Sequence, residues 1–289
     1  MIDRSEQSPY AVHREYEGLD DLFSVQTSQA NATHATALAV DNGIPAYGSS
    51  EWYGGHVGKK ACREFHAKGW PEGLAKLRET LGILRLDTRP TSIRRRGSWT
   101  NEGDEVCMER VYLGNLDTAW HRVSPRQANG PSVVRLFVRI GANASVSPEQ
   151  LFWSGAVALT LCDALEEAGY AVEIVGFSES KGVYSDEKLS LFTVKVKGSD
   201  EPLNMTRLAA TTAHVGTFRI GLFGAYLSVE RRVSDFLGSQ CKGRLAHAEA
   251  ILEPGDLELN RAYSADEAKA EIKRVTELVN SGQMALGHA

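Results

Sequence analysis

Residue types that could do chemistry stand at three places in this chain of 289 residues. The first is His56, Cys62 and His66. One helical turn separates Cys62 from His66, so a single helix face could present both to a metal. Two side chains do not make a zinc site, which takes at least three protein ligands. No His-Glu-x-x-His or Cys-x-x-Cys spacing supplies more, and packing or surface roles are expected. The second place is a connector carrying Arg85, Arg89 and the run Arg94-Arg95-Arg96, with Trp99 just beyond. Phosphate contacts need such charge and base stacking needs such an aromatic. Arg94, Arg95, Arg96 and Trp99 are therefore the contact residues of an anion- or nucleic-acid-binding alternative. The third place is the loop Gly141-Ala142-Asn143-Ala144-Ser145, just after Arg139. Polar backbone ahead of a helix N-terminus favours anions. The Gly-Lys-Ser/Thr ending of a phosphate loop is missing, and so are a Walker motif and a Gly-x-Ser-x-Gly elbow. The loop holds no carboxylate, Cys or His, so neither a metal nor a cofactor is expected there.

The elements that must position this loop are well signalled. Val133 to Val138 is an apolar, β-branched run that reads as a strand buried on both faces. Ser147, Pro148 and Gln150 form a capping box with Pro in the first turn, which predicts a helix start. Leu151, Phe152, Ala156, Leu159, Cys162 and Leu165 share one broad face, and Gly169 can end the helix. Val172 to Phe177 is the next strand, and a right-handed crossover makes it parallel to the first. Ligands in open α/β sheets bind at the carboxyl ends of strands. Arg139, Gly141, Asn143 and Ser145 are thus the expected binding residues. Leu191 to Lys197 alternates, with Phe192, Val194 and Val196 opposite Thr193, Lys195 and Lys197, which predicts a half-wet strand near a sheet edge.

Elsewhere, Leu19 to Phe23 could open a short helix, and Ala30 to Val40 is a helix or an extended segment before a turn at Asn42-Gly43. Helices are expected over Lys59 to Ala67 and from Pro71 through Leu74, Leu77, Leu81 and Leu84, with Trp52, Tyr53 and Trp70 filling the space between them. Gly103-Asp104-Glu105 could start a short helix through Met108 and Val111. Ser124 to Pro131 is polar and rich in Gly and Pro, and marks the expected boundary between a mainly helical region 1–130 and an α/β domain 131–289. One or two helices are expected over residues 203–223 and a strand over Leu245 to Leu252. A second capping box, Ser264-Ala265-Asp266-Glu267, starts a helix with Ala268, Ile272, Val275 and Val279 on one face.

The bulk numbers exclude some classes. Apolar residues make up 42% and charged residues 24%, an ordinary globular balance. A net charge of −5 argues against a nucleic-acid binder, which is usually basic. The four cysteines, Cys62, Cys107, Cys162 and Cys241, lie far apart, as suits a reducing compartment. No apolar run reaches the roughly 18–20 residues that span a bilayer, and the N-terminus lacks a signal core. A cytoplasmic protein without a membrane anchor is expected.

The segment Val133 to Phe177 resembles the start of a von Willebrand factor A-type domain, and most of all that of the CobT subunit of cobaltochelatases. Leu165-Glu166-Glu167-Ala168-Gly169 and Val172-Glu173-Ile174-Val175-Gly176-Phe177 carry the likeness. It implies a Rossmann-like three-layer α/β fold with a metal held by an Asp-x-Ser-x-Ser loop. Arg139, Gly141 and Asn143 stand at those three positions. Hard cations need oxygen ligands, usually including a carboxylate, and an Arg repels them. The resemblance thus implies a degenerate metal site. Trp52, Gly69-Trp70-Pro71-Glu72-Gly73 and Gly103-Asp104-Glu105-Val106 look like an uncharacterised family of phages and mobile elements. The combined expectation is a non-enzymatic scaffold or adaptor that binds a protein partner, an ATPase as in CobT-type systems or a phage component, in the host cytoplasm or virion. An enzyme with dispersed catalytic residues is the other class. A pocket joining Asp104, Glu105 and His121 is its expected sign.

Overall fold

The computed structural model describes residues 1–8, 11–46, 48–82, 97–101, 105–123, 133–143, 145–181, 189–229 and 251–280. The chain opens with strands β1 (Ile2–Asp3) and β2 (Val12–Tyr16) and helices α1 (Leu19–Ser24) and α2 (Ala35–Asn42). Gly43 ends α2 in the left-handed region at φ 71°, where the Asn42-Gly43 pair predicts a turn. Helices α3 (Lys59–Lys68) and α4 (Pro71–Leu81) follow, with Pro71 in the first turn as expected. Tyr53 is fully buried, and Trp52 and Trp70 pack against the core.

A small unit comes next: β3 (Gly97–Thr100), β4 (Glu105–Val106), α5 (Met108–Tyr112) and β5 (Trp120–Val123). Its strands form an antiparallel sheet in the order β3-β5-β4. Glu105 lies in β4, so the helix expected from Gly103-Asp104-Glu105 starts later, at Met108. The main body then adds β6 (Val133–Arg139), α6 (Pro148–Glu167), β7 (Ala171–Lys181), β8 (Leu189–Lys197), α7 (Met205–Thr212), a π-helical turn (Thr217–Leu222), α8 (Phe223–Leu227), β9 (Leu257–Glu258) and α9 (Ala265–Asn280). The capping box of α6 is complete: Ser147 Oγ accepts from Gln150 N, and Ser147 N donates to Gln150 Oε1. Ser264 and Glu267 cap α9 in a related way, through Glu267 N to Ser264 Oγ and Tyr263 N to Glu267 Oε2.

The main sheet is mixed, in the order β1-β2-β8-β7-β6-β9. β6 is parallel to β7 on one side and to β9 on the other, while β7 and β8 run antiparallel. Alternation along each strand separates two faces. Leu136, Val138, Ile174 and Phe192 face the core built with α6, α7 and α8. Phe137, Val175, Phe177 and Leu191 face the other way, and Ile251 and Leu252 pack on them. Helix α6 is the spine of the core, and α7 crosses it closely. A Cβ on Gly155 would stand 2.2 Å from Thr212 O, so only glycine allows this approach.

Two expectations are corrected here. β8 is an interior strand, because β2 pairs with it in parallel from Val12 to Tyr16 and covers its outer side. The sheet therefore draws on both sides of the expected boundary near residue 130. Lys197 also leaves the wet face. The β7–β8 register shifts between Ile174 and Val175, Val196 being the extra residue, and this turns Lys197 toward α6. There its Nζ meets Glu166 Oε1 at 2.6 Å and donates to Val172 O and Gly198 O. Residues 245–250 of the strand expected over Leu245 to Leu252 lie outside the described residues, and Ile251 and Leu252 are in turn or irregular backbone.

Candidate functional site at the end of the central strand

The chain leaves β6 toward β7 on one side and reaches β9 on the other, so the carboxyl end of β6 is the point where strand order reverses. In open α/β sheets that crevice is where ligands bind. Two segments meet there: residues 140–147 after β6, and residues 259–264 after β9.

Arginines hold this meeting point together. Arg139 ends β6 on the face of Phe177 and is 3% exposed. Its Nη2 stands 3.6 Å from Glu179 Oε2 on β7 and 3.7 Å from Glu258 Oε1 on β9. Its guanidinium also lies over the Phe177 ring, 4.7 Å from the centroid. Arg261 donates from Nη2 to Gly141 O at 2.6 Å and from Nη1 to the Tyr263 hydroxyl at 2.7 Å. Arg219, on the π-helical turn, is fully buried and donates to Val146 O and to Trp52 O, with its guanidinium over the Trp52 ring at 3.8 Å. Burial pushes the Arg219 guanidinium down to about 10. Ser154 Oγ on α6 bonds both the N–H and the carbonyl of Ala262 and fixes the second segment.

Of the four expected binding residues, the structure exposes two. Asn143 and Ser145 stand at the surface, where Asn143 Oδ1 accepts from Ser145 N at 3.2 Å and from Ser145 Oγ at 3.3 Å. Gly141 is buried, as is Arg139. The carbonyls of Gly141 and Val146 point at guanidinium groups, so the loop is not arranged as a nest of N–H donors for phosphate. Arg139 turns toward Glu179 and Glu258 rather than up into the loop. The same pair decides whether a divalent ion fits. The carboxylates that approach the end of β6 already face a fixed cation, and no group of three or more His, Cys, Asp or Glu among the described residues could hold a metal. The donor set does not suit a Mg²⁺-type ion.

The other sequence candidates fall elsewhere. Arg85, Arg89 and Arg94 to Arg96 lie outside the described residues, as does Asp104. Trp99 is exposed on β3, with the Arg110 guanidinium 4.1 Å from its ring centroid. The backbone of Glu105 is the register partner of that of His121 in the β4–β5 pairing. Cys62 Sγ lies 3.4 Å from His66 Nε2, which also meets Thr217 Oγ1 at 3.3 Å. This pair has the spacing of a nucleophile and its base, but not the chemistry. Burial pushes the Cys62 thiol up to about 12 and His66 down to about 3, so both are neutral, whereas a reactive cysteine needs its thiolate. His214 is fixed as one tautomer: Nδ1 accepts from Gly216 N at 3.1 Å, so Nε2–H donates to Gly54 O at 3.0 Å.

Sequence reasoning missed Glu179, Glu258, Arg219 and Arg261. Glu179 was within reach, since β7 in parallel register with β6 places it one step of two beyond Phe177 on the Arg139 face. Glu258 sits in a strand of two residues, which carries no periodic signal.

Fold and site together define a mixed α/β protein whose central-strand crevice is closed by arginine. The chain belongs to the family described as domain of unknown function (DUF7192), whose model matches residues 6–282. No curated protein and no solved structure matches it. Among the described residues, no helix is long and apolar enough to cross a membrane.

Proposed function

We propose that this chain carries a degenerate von Willebrand factor A-like domain and works as a non-enzymatic scaffold or adaptor. The observation that carries the reading is Arg139. A buried guanidinium between the buried carboxylate of Glu179 and the partly buried one of Glu258 stands at the strand end where the resemblance places a metal-binding Asp. The strand–loop–helix–strand frame is kept, and a side chain supplies the positive charge. The loop above is pinned by Arg219 and Arg261 and presents Asn143 and Ser145 outward. A preformed loop loses little entropy when it docks, which favours recognition of another protein. An ATPase, as in CobT-type systems, or a component of a phage particle is the partner this reading favours. The experiment is affinity capture of the full chain from its source cell, with the partner identified by mass spectrometry. Recovery of one stoichiometric protein that Asn143→Arg with Ser145→Arg no longer captures supports the reading. Capture unchanged by those substitutions, or no partner at all, overturns it.

A further inference from the structure

The main sheet has a second crevice, at the end away from Arg139. β2 and β8 are parallel neighbours, and β8 runs antiparallel to β7 and so to β6. The carboxyl ends of β2 and β8 therefore lie opposite to that of β6. Outside them, α1, α3 and α7 border a cleft of about 530 Å³, a usual size for a small-molecule site. Open α/β sheets take ligands outside the carboxyl ends of strands. His66 of α3 lines this cleft, together with Phe23 of α1 and Leu208 of α7. It is 4% exposed. Its Nε2 meets Cys62 and Thr217, whereas its Nδ1 is buried and has no hydrogen-bond partner among the described residues. A buried polar atom left unpaired is costly, and a ligand group that bonds it removes that cost. Burial, with Arg207 among the nearby charges, keeps the ring neutral, so Nδ1 offers one donor or one acceptor.

The charges around the cleft choose the ligand. Some are used within the fold: Arg63 meets Asp20 at 3.4 Å, Lys197 meets Glu166 at 2.6 Å, and one Glu201 oxygen accepts from Gly198 N at 2.8 Å. Lys195, Arg207 and Glu17 remain. All three line the cleft and are exposed, and their side chains have no hydrogen bond or ion pair among the described residues. Glu17 and Lys195 directly follow Tyr16 and Val194, the last pair of the β2–β8 register, so an acid and a base stand at neighbouring strand ends. A simple anion would meet Glu17 here, and a simple cation would meet Lys195 and Arg207. A ligand that carries both charges matches the rim. We infer that this cleft binds a small zwitterion of the α-amino acid or dipeptide class. Arg207 and Lys195 hold its carboxylate, Glu17 holds its ammonium, and His66 Nδ1 bonds a polar group of its side chain or amide. This inference goes beyond the adaptor reading and does not rest on it, since Asn143 and Ser145 lie beyond the other end of the sheet.

The test titrates the full chain with a panel of free α-amino acids and dipeptides, read by calorimetry. The tightest of them is then compared with its N-acetyl and C-terminal amide forms, and with inorganic phosphate. At least one zwitterion is expected to bind saturably. Removing either of its charges is expected to weaken it by about tenfold or more, as loss of a hydrogen bond to a charged group does. Arg207→Gln and Glu17→Gln are each expected to do the same. Both positions are exposed, and an unchanged circular dichroism spectrum shows that the variants fold. In nitrogen NMR of histidine-labelled chain, the Nδ1 resonance of His66 is expected to move on saturation. Asn143→Arg is expected to leave this binding intact, which separates the cleft from the loop. Failure of the whole panel to bind overturns the inference. So does equal binding of the N-acetyl or amide form, or binding that Arg207→Gln or Glu17→Gln leaves unaltered. Phosphate that binds as tightly as the zwitterion makes the cleft a plain anion site and overturns it too. A His66 Nδ1 resonance that stays in place, or a loss of binding with Asn143→Arg, has the same force.

Discussion

Arg139 Nη2 lies 3.6 Å from Glu179 Oε2 with both side chains buried, across the register of the two central parallel strands. An acid two residues beyond the cross-strand partner of an arginine lies on the same face and within its reach. The end of β6 is therefore neutralised from within the sheet.

Removing the cation leaves buried carboxylates without it. Arg139→Met is expected to lower stability by roughly 3–5 kcal/mol, the usual result of deleting one partner of a buried pair. Adding Glu179→Gln is expected to recover part of that loss, because the two groups are coupled. Urea melts of the two single variants and the double variant measure this. Strictly additive losses contradict the coupling.

Buried histidines make the fold sensitive to acid. Burial lowers His66 to about 3 and His214 to about 4, and it lowers His13 and His56 as well. An unfolded histidine takes its proton near pH ~6.5. Below that pH the unfolded chain binds more protons than the native one, so stability is full above it and falls as pH drops toward the folded values. Each deeply buried histidine accounts for about 1.4 kcal/mol per pH unit in that window. The urea midpoint is expected to fall between about pH 7.5 and about pH 5, and His66→Leu to flatten the slope. A midpoint that does not move with pH contradicts this account.

The α6–α7 crossing depends on one missing methyl group. Gly155→Ala would place its Cβ 2.2 Å from Thr212 O and 2.4 Å from Ala213 Cα, both backbone atoms. Overpacking of this kind costs about 1–3 kcal/mol, and more where backbone must shift. The thermal midpoint is expected to drop by several degrees despite the better helix propensity of Ala. A neutral or stabilising effect would mean the helices do not approach so closely.

The sequence carries the main frame because its signals are local. The capping box at Ser147, the period of α6 and the apolar run of β6 all act within a few residues, and each element forms where expected. The position of β8 was not legible. Its alternation describes a strand with one wet face, but β2 arrives from the far N-terminus and covers its outer side. The site was half legible for the same reason. Asn143 and Ser145 follow from loop composition, whereas the burial of Arg139 depends on Glu258, supplied by a two-residue strand far along the chain. Arg219 looks in sequence like a surface cation between apolar neighbours. Only the packing of the π-helical turn against Trp52 and Val146 turns it inward.

The central claim is that Arg139 takes the place of a cation at the end of β6. Calorimetric titration of the full chain with Mn²⁺ tests it most directly, with Asn143→Ala titrated alongside. The account predicts no saturable binding in either protein. Saturable binding to the native chain that Asn143→Ala abolishes would contradict it.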